Sequence, residues 1–204
     1  MRSSRKTERG ATLVEAAFVT LPFMLVVFAI LEFGLAFRTD LTIENAAQRG
    51  GRSASVGGRA PTADFQIIDA IKDGLDDGGM SQIERVIVYR ATAPNDPVPA
   101  GCLAITNPIG PNGVNDSCNV YGPDAFAAPL ETSPGVPSNE WQCLTAGARD
   151  NFWCPTTREV SFSLGDRDYV GVYIETTHEY LTGFFGSDVD LDALTVSRLE
   201  PETE

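Results

Sequence analysis

The chain has 204 residues, 43% of them hydrophobic, and a formal net charge of −13, which is enough sequence for one domain of ordinary size and a membrane anchor. An acidic chain of this kind repels the phosphate backbone, so its composition argues against nucleic acid as a partner. The charge is unevenly distributed, because the first ten residues carry a net +3 and the rest of the chain −16.

Residues 11–37 form an apolar stretch in which Glu15 and Glu32 are the two charged residues. As a helix, this stretch extends about 40 Å, which is enough to cross a hydrocarbon core of about 30 Å. Pro22 is expected to kink the helix without ending it. No small-residue cleavage site follows the stretch, so we predict a retained transmembrane helix; the alternatives are a cleaved signal and a buried core helix.

The charges beside this stretch predict its orientation. Four cations precede it within residues 1–10, whereas the residues that follow are of mixed charge. The positive-inside rule therefore predicts a cytoplasmic leader at 1–10 and an extracytoplasmic domain at 38–204, in a single-pass protein of the cell membrane.

The exported part begins with helix. We expect the membrane helix to continue through Ala47 and to end at Gly50 and Gly51, since paired glycines break helices. A second helix is predicted over 62–76, capped by Thr62, because apolar residues recur there at helical spacing.

The hydrophobic period then changes from helical to alternating. Strands are predicted at 83–91, 158–164, 169–177 and 194–199, with residues 165–167 joining the second and third as a hairpin. Strands that follow helices, with antiparallel connections, predict an α+β domain built on an antiparallel sheet.

Residues 93–157 form a loop insert rich in Pro, Gly, Asn and Asp, and they hold all four cysteines. An even number of cysteines outside the cytoplasm predicts two disulfides, for which three connectivities exist. We favour the sequential pairs, Cys102 with Cys118 and Cys143 with Cys154. Zinc is the alternative, but the spacing lacks a C-x-x-C pair and the chain has one histidine, so we predict no metal ligands.

No pattern in the sequence points to catalysis. His178 is expected to be a surface or packing residue, because a lone histidine seldom forms a catalytic site. The sequence has no nucleophile elbow, H-E-x-x-H pair or Walker loop. The run 188–192 resembles the start of a calcium loop, but Ala193 and Leu199 stand where such a loop needs Gly and Glu. We therefore predict a non-enzymatic protein with no catalytic residues and no cofactor.

The junction of leader and apolar stretch reads Arg-Gly-Ala-Thr-Leu-Val-Glu, from residue 9 to residue 15. It resembles the processing site of type IV pilins and pseudopilins, in which a prepilin peptidase cuts after the glycine, here between Gly10 and Ala11. The resemblance implies that the new ammonium of Ala11 pairs with Glu15 of a neighbouring subunit, which offsets the burial of that carboxylate.

Two further segments narrow the resemblance: Glu32-Phe33-Gly34, and residues 43–52, which read Ile-Glu-Asn-Ala-Ala-Gln-Arg-Gly-Gly-Arg. With the ending 196–201, they are similar to the TadE family, the minor pseudopilins of bacterial tight-adherence (Flp-type) pili. The resemblance covers roughly residues 8–52 and the last few residues.

This resemblance implies a pilin-like domain and a role in pilus assembly and surface adhesion, with Glu15 and Glu32 as assembly residues. The implied partners are the lipid bilayer, other pilin or pseudopilin subunits, the pilus assembly platform and the prepilin peptidase. The alternative function is that of a single-span, membrane-anchored protein that binds a ligand or surface partner and is unrelated to pili.

Overall fold

The computed structural model describes residues 8–75, 83–127, 131–133, 136–160 and 168–200. Its first element is helix α1, Glu8–Gly57, which has 50 residues and continues through Pro22. A helix of this length extends about 75 Å. Most side chains before Ile43 are exposed, whereas the part of α1 from Ile43 onward packs against the rest of the domain.

The expectation that α1 ends at Gly50 and Gly51 is wrong, because the helix continues to Gly57. The reason is close packing. A Cβ atom at Gly50 would lie 2.8 Å from Cγ1 of Ile71, and one at Gly51 would lie 2.6 Å from Cγ2 of Thr195. The glycines let α1 approach its neighbours, and the burial gained there outweighs a helix-propensity cost of about 1 kcal/mol per glycine.

Helix α2, Ala63–Lys72, lies against this part of α1. It is shorter than the predicted helix over 62–76, and the side chain of Thr62 makes no capping hydrogen bond. The predicted apolar face is present, since Phe65, Ile68 and Ile71 are all buried. Residue 76 lies outside the described residues.

The described residues contain a five-stranded antiparallel sheet and a separate two-stranded ladder. The strands of the larger sheet are β1 Ile83–Ala91, β2 Asn112–Val114, β3 Cys118–Tyr121, β6 Tyr169–Glu179 and β7 Asp188–Arg198. Their order in the sheet is β2-β3-β1-β6-β7, and every neighbouring pair is antiparallel. The remaining elements are α3 Ala100–Leu103, α4 Pro123–Ala127, the two-stranded ladder of β4 Glu131–Ser133 with β5 Val136–Pro137, and two 3-10 helices, Asn139–Trp141 and Pro155–Thr157.

The predicted α+β fold with an antiparallel sheet is confirmed. Strand β1 has its predicted bounds. The strand predicted at 169–177 is part of the longer β6. The strand predicted at 194–199 lies within the longer β7 except for its last residue. The strand predicted at 158–164 is wrong at its described end, because residues 158–160 are not strand. Strand β6 pairs with β1 on one edge and with β7 on the other, so neither edge is open to the hairpin partner predicted at 158–164. The rest of that prediction, 161–167, lies outside the described residues.

The two faces of the sheet carry two apolar layers, because alternate side chains of a strand point to opposite faces. One layer packs beneath α1 and α2 and includes Val86, Val172 and Ile174. The other packs beneath the 98–105 segment and includes Ile87 and Tyr89.

The insert at 93–157 therefore contributes strands β2 and β3 to the sheet, and its 98–105 segment packs over one face of that sheet. Cys102 on α3 is bonded to Cys118 on β3, and Cys143 is bonded to Cys154. These are the sequential pairs that the sequence analysis favours.

Candidate assembly interface

The N-terminal half of α1 presents apolar side chains on all sides. Among the described residues, α1 is the one helix long and apolar enough, by length and composition, to cross a membrane. Its most apolar window has a mean hydropathy of 2.4, and none of that window is buried. We call residues 12–37 the apolar segment; Phe18, for example, is 77% exposed. A surface of this kind needs lipid or other apolar helices around it.

The predicted processing residues lie at the start of α1. Gly10 and Ala11 are helical, two and three residues after the helix begins at Glu8, while residues 1–7 of the predicted leader lie outside the described residues. Glu15 follows one turn later and is exposed. The structure therefore places Glu15 on the surface of the helix, where a group outside the chain can reach its carboxylate.

Glu32 is placed quite differently, although it lies in the same apolar segment. Its side chain is only 1% exposed. The backbone N–H groups of Leu181 and Thr182 donate to its two carboxylate oxygens, with N···O distances of 2.9 and 2.6 Å. The hydroxyl of Thr182 donates a third hydrogen bond, at 2.6 Å. Bonds to a charged acceptor are stronger than neutral ones, so Glu32 fixes the chain near residue 181 to α1.

These donors belong to the tip of the β6–β7 hairpin, residues 180–187, which we call the hairpin tip. The Tyr180 N–H donates to the Ser187 carbonyl at 3.0 Å and closes the tip. Its aromatic rings pack on α1: the ring centroids of Phe184 and Phe28 are 6.1 Å apart, and those of Phe185 and Phe33 are 5.6 Å apart. Offset or tilted ring pairs at such distances stabilise the contact.

The base of the hairpin also contacts α1. His178 is buried, its Nδ1 lies 3.1 Å from Oγ1 of Thr39, and its ring stands edge-on to that of Tyr180. His178 is therefore a packing residue here, as the sequence analysis expects. Between α1 and β7 lies a largely apolar groove of about 240 Å³, lined by Phe33, Ala36, Phe37, Asp40, Tyr180, Val189 and Leu191.

A second group of polar residues is buried in the domain, far along the chain from the apolar segment. The Asp64 carboxylate of α2 forms an ion pair with Arg158, and both side chains are fully buried. The Tyr121 hydroxyl and the Asn119 amide donate to Asp64 Oδ2 at 2.6 and 2.8 Å. We call Asp64, Asn119, Tyr121 and Arg158 the polar cluster. It connects α2, β3 and the end of the insert, so its evident effect is structural.

Asp150 lies beside this cluster and is also fully buried. The pKa of its carboxyl is raised to about 7, by burial above all and then by the charge of Asp64, while the backbone N–H groups of Asp150 and Cys143 and the charge of Arg158 oppose the rise. In the described part of the chain, neither of its carboxylate oxygens makes a hydrogen bond of normal geometry, so these backbone groups offset the cost of burial only in part. Such a carboxyl is stable when it is protonated and costly when it is charged.

The structure thus separates the residues that the sequence analysis groups for assembly. Glu15 is exposed, whereas Glu32 is bonded within the chain to residues about 150 positions away. Sequence reasoning missed the hairpin tip, although its pattern is visible: two aromatic residues between Gly183 and Gly186, uncharged and flanked by acidic strands. No group of three or more His, Cys, Asp or Glu side chains within the described ranges is arranged to hold a metal ion.

No curated protein and no solved structure matches the chain. Residues 10–52, in the N-terminal part of the chain, match the family of TadE-like proteins. The matched residues include the apolar segment with Glu15 and Glu32, and also the two glycines at which α1 packs into the domain. The predicted resemblance to the TadE family is confirmed over residues 10–52, whereas the ending at 196–201 lies outside the match.

Proposed function

We propose that this protein is a minor pseudopilin of a tight-adherence pilus system and acts in pilus assembly rather than in catalysis. The observation that carries the proposal is the TadE-like match over residues 10–52. That match falls on the apolar segment, whose side chains are mostly left exposed by the rest of the described structure.

The exposed apolar segment is surrounded first by lipid and later by other helices. Lipid covers it while the protein is anchored in the membrane, and the helices of other pilin subunits cover it on assembly. Apolar surface gains little when it moves from lipid to another helix, so packing and polar pairs decide which helices associate. Glu15 supplies such a polar group, because its carboxylate is exposed and a charge in lipid costs several kcal/mol unless it is paired.

Orientation and processing depend on the residues that precede the apolar segment. The cationic leader holds the N-terminus in the cytoplasm and the domain at 38–204 outside. A prepilin peptidase then cuts between Gly10 and Ala11, which removes the leader and creates an ammonium group at Ala11. This ammonium pairs with Glu15 of a neighbouring subunit, and the pair contacts the assembly platform or the growing pilus.

The mature N-terminus tests this proposal. Mass spectrometry of the protein from cells with an active prepilin peptidase should find Ala11 as the first residue. The Gly10→Leu variant, or a strain without the peptidase, should retain residues 1–10. An intact leader in the membrane fraction of peptidase-competent cells would contradict the proposal and favour the alternative, a membrane-anchored binding protein.

The role of Glu15 is tested separately by Glu15→Gln, which keeps the size of the side chain and removes its charge. We expect correct processing but loss of surface pili, because the neighbour's ammonium loses its partner. Glu44→Gln is the matched control, since Glu44 is an exposed glutamate of the same helix beyond the apolar segment. Normal piliation of the Glu15 variant would refute the pairing.

A further inference from the structure

The hairpin tip is uncharged, although the strands on both sides of it are acidic. Residues 180–187 read Tyr-Leu-Thr-Gly-Phe-Phe-Gly-Ser, and the exposed carboxylates Glu179 and Asp188 flank them. Within the tip, Leu181 is 76% and Phe184 is 64% exposed. Large apolar side chains grouped on a surface in this way mark a contact with lipid or with another protein.

The hairpin tip lies at the level of the apolar segment. Phe184 stacks on Phe28, which precedes the predicted end of the membrane span at residue 37 by about 14 Å along the helix. A shorter span that ended at Glu32 would still extend about 33 Å, enough for the hydrocarbon core, and would still include Phe28. With either end of the span, Phe28 lies within it, and the stacked ring of Phe184 is brought to the lipid.

The backbone of the tip is suited to such a place. Apolar surroundings require that backbone N–H groups have acceptors within the protein. Glu32 accepts from the N–H groups of Leu181 and Thr182, and the Ser187 carbonyl accepts from Tyr180. The N–H of Phe184 is directed at the Thr182 hydroxyl, at 3.5 Å. In return, the carboxylate of Glu32 obtains three donors, which compensate its own removal from water.

We propose that the hairpin tip inserts into the lipid layer beside α1 and forms a second membrane contact of this protein. The occupant of its exposed surface is lipid, because that surface continues the apolar surface of α1 and carries no charge. Glu32 is the positioning residue, since it holds the tip against α1 by accepting from the backbone N–H groups of Leu181 and Thr182. The inference rests on the membrane anchoring proposed above.

A spin label at Phe184→Cys tests the insertion. The four native cysteines are paired in the structure, so the introduced thiol is the one available for labelling. The labelled full-length protein is placed in nanodiscs at one copy per disc, which excludes neighbouring subunits. Collision rates of the label with oxygen and with a neutral nickel chelate are then measured, because oxygen concentrates in lipid and the chelate in water.

Two matched positions calibrate the result. Phe18→Cys lies in the apolar segment, and Ile109→Cys lies on a loop of the domain, where Ile109 is 81% exposed. We expect the label at 184 to lose most of its nickel collisions relative to position 109 and to resemble position 18. Nickel collisions equal to those at 109, or protection from both reagents, would overturn the insertion. Nickel collisions at position 18 would instead refute the anchor, and the insertion with it.

The positioning role of Glu32 has its own readout. Glu32→Gln replaces one acceptor oxygen by an amide that donates, which opposes the N–H groups of the tip. We expect the label at 184 to regain nickel collisions in this variant, while the far-ultraviolet circular dichroism of the domain is unchanged. In Glu44→Gln the collision rates should stay as in the parent. An unchanged label environment in Glu32→Gln would show that Glu32 does not hold the tip in lipid.

Discussion

The contribution of Asp150 to the stability of the domain should fall as the pH rises from 4 to 7. Its carboxyl is fully buried and its pKa is raised to about 7, whereas an unfolded aspartate has a pKa of about 3.9. Between these values the folded state binds more protons than the unfolded state, so the free energy of unfolding decreases with pH. A shift of about three units corresponds to at most about 4 kcal/mol, present below pH 4 and lost above pH 7.

The Asp150→Asn variant isolates this contribution, because asparagine does not titrate. Urea unfolding of the full-length protein in nanodiscs, followed by the fluorescence of the buried Trp141 and Trp153, gives the free energy of unfolding at each pH. The difference between variant and parent should rise by a few kcal/mol from pH 4 to pH 7.5. A constant cost of burying the amide shifts this curve without changing its slope.

The control is Asp188→Asn, an exposed aspartate whose substitution should leave the difference from the parent flat across the same range. Other carboxyls act in the opposite direction; the pKa of Asp124, for example, is lowered in the folded protein by its bonds to Arg149 and Gly110, despite its partial burial. The comparison with the variant removes their effect. A difference curve for Asp150→Asn that is as flat as that of the control would refute the reasoning.

Three further changes test the packing, each by urea unfolding at a single pH. Gly51→Ala should destabilise the domain by about 1–2 kcal/mol, because its new Cβ has no room. Gly34→Ala should not, because nothing lies within 4 Å of a Cβ there. Equal effects of the two substitutions would contradict the packing role of Gly51. Gly171→Ala should cost about 3 kcal/mol or more, because the new Cβ falls 2.1 Å from the ring of Tyr89, and an unaffected variant would refute that contact. Removing the disulfide Cys102–Cys118 by double serine substitution should cost about 3 kcal/mol, and no loss would show that the ring does not restrain the unfolded chain.

What the sequence predicted well rests on local patterns. The long apolar run gives helix α1, and the alternating residues at 83–91 give β1 with its observed bounds. The four cysteines imply two rings once the domain is assigned to an oxidising compartment. These features need only neighbouring residues or composition, so they can be read before the fold is known.

What the sequence did not predict depends on contacts between distant residues. Gly50 and Gly51 have the local signature of a helix end, and only the approach of α2 and β7 shows that they serve packing. Strand β3 has four residues within a loop-like region and gains its place by pairing with β1. The bonds of Glu32 and the Asp64–Arg158 ion pair join residues 149 and 94 positions apart, and no periodicity reveals such pairs.

The two glutamates of the apolar segment show how one helix can serve both as an anchor and as an assembly element. A carboxylate in lipid needs donors or a cation, whichever molecule supplies them. Glu32 obtains three donors from its own chain, so it has no need of a second subunit and holds the domain at a fixed height on α1. Glu15 is exposed on the same helix, and a partner for its charge must come from outside the folded chain. In the pilus assembly proposed above, the association of subunits would depend on Glu15, while Glu32 would keep the domain at its position relative to α1.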